Sequence, residues 1–110
     1  MVRTVTLVEL DTPQLWSRVT AEMADDGTLS IEGQDIGASV EAFWGKGMNE
    51  YEWAYSITPA AVAALRAALG GGDDVLASLR ERFSGDKYKD LSSFLDEHAI
   101  SYGFWSRNGD

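Results

Sequence analysis

The sequence contains no cysteine, and this absence removes several kinds of chemistry at once. Disulfide bridges, thiolate metal sites and cysteine nucleophiles are all excluded. The absence also fits a reducing compartment, since disulfide-bonded proteins concentrate in oxidising ones. Histidine is scarce as well, with His98 the only one in the chain. A Ser-His-Asp triad would have to use it, yet no Gly-x-Ser-x-Gly motif is present, and a histidine metal site would lack ligands.

Basic residues are few: nine Lys and Arg stand against eighteen Asp and Glu, for a net charge of −9. Phosphate binding needs clustered Lys and Arg, so this balance argues against nucleic acid as a direct partner. Most of the excess lies in residues 1–58, with ten acids against three bases. A solvated acidic surface is the simpler interpretation. The sharper hypothesis is that a surface of one sign steers a basic protein partner towards the chain.

Long apolar runs are also missing. No stretch approaches the ~18 residues that a membrane span needs. The first residues, MVRTVTLVELD, lack the unbroken apolar segment of a signal peptide. We therefore expect a cytoplasmic protein with no membrane partner, as a monomer or a homodimer. With 110 residues and 45% hydrophobic content, residues 1–110 are predicted to form a single domain with a proper core.

The N-terminal part has the patterns of β-strands. Thr4 to Leu10 is rich in β-branched residues, but its apolar residues fall on both parities. This predicts a strand covered on both sides, or one whose end leaves the core. Residues 14–24 fit either a strand or a helix, because Leu15, Val19 and Met23 also share a helical face. The Asp26-Gly27 pair is followed at once by a segment in which apolar and polar residues alternate. This is a hairpin signal, so we predict a strand from about Ser17.

The stretch from Ile31 to Ile57 is predicted to be the centre of the fold. Residues 33–37, GQDIG, predict a turn because two glycines bracket polar residues. Residues 38–44 predict one or two helical turns with Val40, Phe43 and Trp44 packing inward. Residues 50–57 alternate as a strand, with three aromatic residues and Ile57 on one face and two glutamates on the other.

The C-terminal part switches to helical periodicity. Thr58-Pro59 forms a cap and first-turn pair for one helix, Asp73 or Asp74 caps a second, and residues 87–98 predict a third. Residues 100–106, ISYGFWS, predict a returning strand. This order predicts an α+β fold, an antiparallel sheet of four to five strands with two to three C-terminal helices packed on one face.

Carboxylates and surplus aromatic residues supply the candidate binding site. Four carboxylates close in sequence could form a hard-cation site, although their spacing matches no EF-hand loop: Asp35, Glu41, Glu50 and Glu52. A solvated acidic face explains them more simply. Trp and Tyr are favoured interface anchors. The predicted binding residues are Asp35, Trp44, Glu50, Glu52, Trp53 and Trp105, and we predict no catalytic residue, metal or cofactor.

Several segments carry a resemblance that covers most of the chain: DDGTLSIEGQDIG, VEAFWG, EYEWAYSI and FLDEHAISYGFW. They resemble a group of small acidic bacterial proteins, mostly actinobacterial, whose domain has no assigned function. The excess of Arg over Lys and the alanine content agree with a high-GC source. In size and acidity the chain is also similar to immunity proteins, which neutralise toxins of neighbouring cells. That likeness is one of type and implies no catalytic residue.

Three functions fit these observations. The first is a non-enzymatic protein-binding module, for example an immunity-like inhibitor of a basic toxin. The second is a small-molecule binder or minor enzyme with a pocket between helices and sheet near Asp35 and Glu52. The third is a structural domain that forms a homodimer through the open face of its sheet.

Overall fold

The fold is an antiparallel sheet with helices on one side. A computed structural model describes residues 2–38, 40, 42 and 50–109. The strands are β1 (Arg3–Asp11), β2 (Trp16–Met23), β3 (Leu29–Ile36), β4 (Glu50–Ile57) and β5 (Gly103–Gly109), paired in sequence order. Between β4 and β5 lie α1 (Pro59–Ala68), α2 (Val75–Phe83), a 3₁₀ helix (Gly85–Asp90) and α3 (Leu91–Glu97). The predicted α+β fold is confirmed.

The core lies between the helices and one face of the sheet. β3 shows how the alternation places it, since Leu29 and Ile31 have no exposed surface while Glu32 is exposed on the opposite face. Side chains from the helices close this core: Leu65, Leu76, Leu79, Leu91 and Leu95. Burying a side chain of this kind contributes about 1.5–3 kcal/mol, so this face supplies most of the driving force for folding.

A β-bulge in β1 explains why its apolar residues fall on both parities. Val5 pairs with Ala21 and Val8 pairs with Val19, which leaves Leu7 as an extra residue. The extra residue shifts the alternation, so Val8 rejoins the helix-covered face and Leu7 is only 3% exposed. A strand covered on both sides was therefore the wrong alternative. Leu10, 43% exposed, lies at the end of β1 that leaves the core.

β2 and β3 form the predicted hairpin, but β3 is longer than predicted. β2 confirms a strand for most of residues 14–24. β3 continues to Ile36, so the predicted turn over residues 33–37 was wrong. Gly33 pairs with Val19 on one side and Trp53 on the other. A Cβ at Gly33 would lie 2.1 Å from the Trp53 ring, so the glycine lets this ring lie across the strand.

The C-terminal elements follow the predicted order. Thr58 caps α1 by accepting a hydrogen bond from the Ala61 amide at 3.3 Å, and Asp74 caps α2 through the Ala77 amide at 3.1 Å. The third predicted helix is a 3₁₀ helix followed by α3, and the last strand begins at Gly103. In the described part of the chain, no helix has the length and apolar character to cross a membrane.

The segment before β4 is described only in part. Ala38, Val40 and Ala42 have helical conformation, and Val40 is 5% exposed as predicted for an inward residue. Phe43 and Trp44, also predicted to pack inward, lie outside the described residues.

Candidate functional site

The sheet face opposite α1–α3, here called the open face, presents side chains in rows that cross the strands in register. Two of these rows form the site. The first is called the short row because its Thr and Ala side chains are short, and it contains Thr6, Thr20, Glu32, Ala54 and Trp105. The charged row beside it contains Glu9, Arg18, Gln34, Glu52 and Arg107. Residues opposite each other on neighbouring strands have Cβ atoms ~4.5–5.5 Å apart, so each row is a line of neighbouring side chains.

A cleft of about 370 Å³ lies on the open face. Thr20 and Ala54 in the short row rise little above the sheet, which creates the depression. Trp16 and Trp105 line the cleft, together with the longer side chains of the charged row: Arg18, Gln34 and Glu52. The volume lies within the ~300–1,000 Å³ typical of ligand sites. The cleft thus combines aromatic surface with hydrogen-bonding groups.

Gln34 holds two carboxylates of the open face in place. Its Nε2 donates to Glu50 Oε1 at 2.7 Å and to Glu52 Oε1 at 3.3 Å. The other oxygen of Glu52 accepts from Arg107 Nη2 at 3.2 Å. An exposed ion pair of this kind contributes at most about 1 kcal/mol. Its main effect is therefore to position these groups and to compensate the charge of Glu52.

Glu32 differs from the carboxylates of the charged row. It is exposed, and within the described ranges no hydrogen bond or ion pair joins its carboxylate to another residue. Its cross-strand neighbours are Thr20 on β2 and Ala54 on β4, neither of which carries charge. Glu32 is therefore an uncompensated acceptor in the short row.

The open face as a whole is acidic. Six carboxylates on the described strands face this side against two guanidinium groups: Glu9, Asp11, Glu22, Glu32, Glu50 and Glu52 against Arg18 and Arg107. Arg107 is engaged by Glu52, and Arg18 lies directly opposite Glu9 in the register. The acidic excess therefore remains after both basic groups are taken into account.

The described tryptophans of β4 and β5 lie on opposite faces. Trp105 is on the open face and 52% exposed. Trp53 is on the helix-covered face, where its ring stacks on Tyr88 with centroids 5.5 Å apart and planes 22° apart. Burial raises the pKa of the Tyr88 hydroxyl far above its ordinary value, and the neighbouring Tyr55 adds to the increase. Trp53 is therefore packed against other aromatic groups, whereas Trp105 is available for binding.

The structure brings together only part of the predicted binding set. Glu50, Glu52 and Trp105 share the open face, as their parity indicated. Asp35 lies on the other face, where its carboxylate accepts a hydrogen bond from Ser17 Oγ at 2.5 Å. A pocket that joins Asp35 to Glu52 between helices and sheet is therefore contradicted. Trp53 also lies on the helix-covered face, and Trp44 falls in the part of the chain that is not described.

A metal site finds no support in the described residues, where no group of three or more Asp, Glu or His is placed to hold an ion. Of the four carboxylates considered for a cation, Glu41 lies outside the described residues.

His98 caps the end of α3, and its ring lies 4.4 Å from that of Phe94.

Several residues of the cleft were not among the binding residues predicted from the sequence. Trp16 and Arg18 share a parity in the strand interpretation of residues 14–24, and that signal could have found them. Gln34 was lost because it was assigned to a turn. Alternation places Glu32 and Ala54 on the outward face of their strands, but no local signal connects them to Trp105, which pairs with Ala54 across the sheet.

Comparisons of the chain with protein-family models, curated proteins and solved structures returned no match. The resemblance to small actinobacterial proteins therefore stays a prediction.

Proposed function

We propose that this chain is a non-enzymatic binding module that recognises a basic protein partner through its open face. One observation carries the proposal: the face with the acidic excess also holds an exposed cleft bordered by Trp16 and Trp105. Like charges on one face raise the rate at which an oppositely charged partner arrives. Tryptophan side chains then supply the buried area that holds it.

The exposed part of Trp105 is large enough to matter for affinity. The side chain is 52% exposed. A tryptophan buries roughly 150–250 Å², so covering the remaining half removes about 100 Å² from water. At about 25 cal/mol per Å² this contributes about 2.5 kcal/mol. That size is typical of an interface hot spot.

One biological role that this proposal includes is that of an immunity-like inhibitor of a basic toxin. A toxin that acts on an anionic substrate needs a basic surface, and an acidic open face would cover it. If a toxin reading frame lies directly upstream in the source genome, its purified product should form a stoichiometric complex with this chain at low salt. If that product did not bind, the role as a toxin inhibitor would be contradicted.

Charge-matched variants test the proposal directly. Glu22, Glu32 and Glu50 are replaced by Gln in one variant of the open face. The control variant removes three exposed acids on the helical side instead, as Glu81→Gln, Asp86→Asn and Glu97→Gln. Each variant therefore loses the same amount of negative charge.

Both variants are titrated by calorimetry with an extended peptide of alternating arginine and alanine. Comparing about 50 mM with about 500 mM salt separates screened attraction from other contacts. We expect the open-face variant to lose about tenfold in affinity, equivalent to about 1.4 kcal/mol, and the control to lose much less. Equal losses would show that net charge alone attracts the peptide, and the proposal would fall.

A small-molecule ligand is the second candidate, favoured by the volume of the cleft and the polar groups along it. An uncharged molecule enclosed in the cleft would bind with little dependence on salt, because screening acts on exposed charges. A thermal-shift screen at low and high salt separates the two candidates: stabilisation that persists at high salt favours the small molecule.

A further inference from the structure

We propose that the position above Ala54, between Glu32 and Trp105, binds one arginine side chain of the partner; this inference rests on the proposed function and names the group recognised. We call this position the slot. Glu32 pairs with Ala54 across β3 and β4, and Ala54 pairs with Trp105 across β4 and β5. The three residues therefore form consecutive members of the short row.

The spacing of the strands fixes the size of the slot. Neighbouring strands lie about 4.8 Å apart, so Glu32 and Trp105 are separated by about 10 Å with Ala54 midway. Alanine contributes only a methyl group at this point, and the space above it belongs to the cleft. A planar group placed there would lie about 5 Å from each neighbour.

The chemistry on the two sides of the slot matches a guanidinium group. A cation within about 6 Å of an aromatic ring is attracted by the ring face, and tryptophan is the strongest such partner. Trp105 is 52% exposed and can present its ring. Glu32 has no hydrogen-bond or ion-pair partner in the part of the chain that the structure describes. Its two carboxylate oxygens fit the paired donors of arginine better than the single charged centre of lysine.

Among the residues that the structure describes, the nearby basic groups do not fill the slot. Arg107 is held by Glu52 at 3.2 Å, and Arg18 lies in the charged row opposite Glu9. The Gln34 amide group is committed to Glu50 and Glu52. Arg18 still lines the same cleft and repels an incoming cation. Removing its charge should therefore strengthen arginine binding.

Nuclear magnetic resonance of the ¹⁵N-labelled full chain, titrated with Nα-acetyl-arginine amide, tests the slot. The indole signal of Trp105 is identified by its loss in Trp105→Phe. We expect this signal and the backbone amides of Glu32 and Ala54 to shift together. Glu32→Gln, and Ala54→Leu, which fills the slot, should each weaken binding at least fivefold, whereas Arg18→Gln should strengthen it.

Matched controls show whether the slot itself is responsible. Glu22→Gln removes the same charge from the open face outside the slot, and Ser56→Leu adds a similar side chain on β4 two residues from Ala54. Both should bind within about twofold of the unmodified protein. Nα-acetyl-citrulline amide, which has nearly the same shape without the charge, should not bind. The amide spectrum of each variant confirms that it is folded.

Three results would overturn the slot. They are equal losses in Glu22→Gln and Glu32→Gln, equal binding of the citrulline probe, and binding that persists in Ala54→Leu. The proposed function would survive any of these if the arginine–alanine peptide still bound the open face. If the peptide bound with equal affinity to the two charge-matched triple variants described above, both proposals would fall.

Discussion

The two faces of the sheet use their aromatic residues in opposite ways. On the helix-covered face, Trp53 lies across Gly33 and stacks on Tyr88. On the open face one strand away, Trp105 stands beside Ala54 with half of its surface in solvent. The first arrangement uses its aromatic contacts for folding, and the second leaves them available to a partner. Substitutions on the helix-covered face should therefore change stability, whereas those on the open face should change binding.

The largest difference between the faces is expected for two isoleucines of β3. Ile31 is fully buried on the helix-covered face, and Ile36 is 36% exposed on the other. Ile31→Ala leaves a cavity and should lower the free energy of unfolding by about 4 kcal/mol. Ile36→Ala should lower it by less than about 1 kcal/mol. Denaturant unfolding followed by circular dichroism measures both, and similar losses would contradict the difference between the faces.

Two glycines give a smaller but sharper comparison. A Cβ at Gly33 would lie 2.1 Å from the Trp53 ring, whereas a Cβ at Gly103 on the open face meets its nearest neighbour at 3.9 Å. Gly33→Ala should therefore cost about 1–3 kcal/mol through overpacking. Gly103→Ala should be neutral or stabilise by up to about 1 kcal/mol, because it restricts the unfolded chain. A neutral Gly33→Ala would mean that the Trp53 ring is free to move away.

The smallest expected effect is the alkaline sensitivity of the helix-covered face. Burial raises the pKa of Tyr88, and burial also raises that of Tyr55. Because these tyrosines ionise at a lower pH in the unfolded chain than in the folded protein, ionisation favours unfolding. Their contribution to the free energy of unfolding is therefore fully present below pH ~10 and decreases above it. For Tyr88 the decrease in the free energy of unfolding is at most about 1.4 kcal/mol per pH unit.

Tyr88→Phe tests the alkaline effect, since it removes one ionising group and should flatten the decrease. Unfolding measured between neutral and alkaline pH gives the slope for each protein. An unaltered slope in Tyr88→Phe would show that Tyr88 ionises as readily when folded as when unfolded.

Strands and helix caps that are specified by residues close together in the sequence were predicted correctly. Residues 50–57 alternate strictly, and the register places their aromatic residues and their glutamates on the expected faces. The caps at Thr58 and Asp74 were equally readable, because each uses an amide only three residues away.

Features that depend on distant contacts could not be read in this way. Gly33 resembles a turn residue, yet its role is to make room for the Trp53 ring on the next strand. The bulge at Leu7 changes the parity of β1 without a local marker. The slot depends on the register of three strands, which brings Glu32 and Trp105 to the two sides of Ala54. Register is a property of the assembled sheet, so these residues had no local signal to connect them.

The most direct test of the central claim is a map of where a basic partner contacts the chain. Amide chemical shifts of the ¹⁵N-labelled protein are followed while the arginine–alanine peptide is added at low salt. If the peptide binds the open face, the largest chemical-shift changes should fall on β2–β5 and include Thr20, Glu32, Ala54 and Trp105. Changes confined to the helical side, around Glu81 and Glu97, would contradict the account.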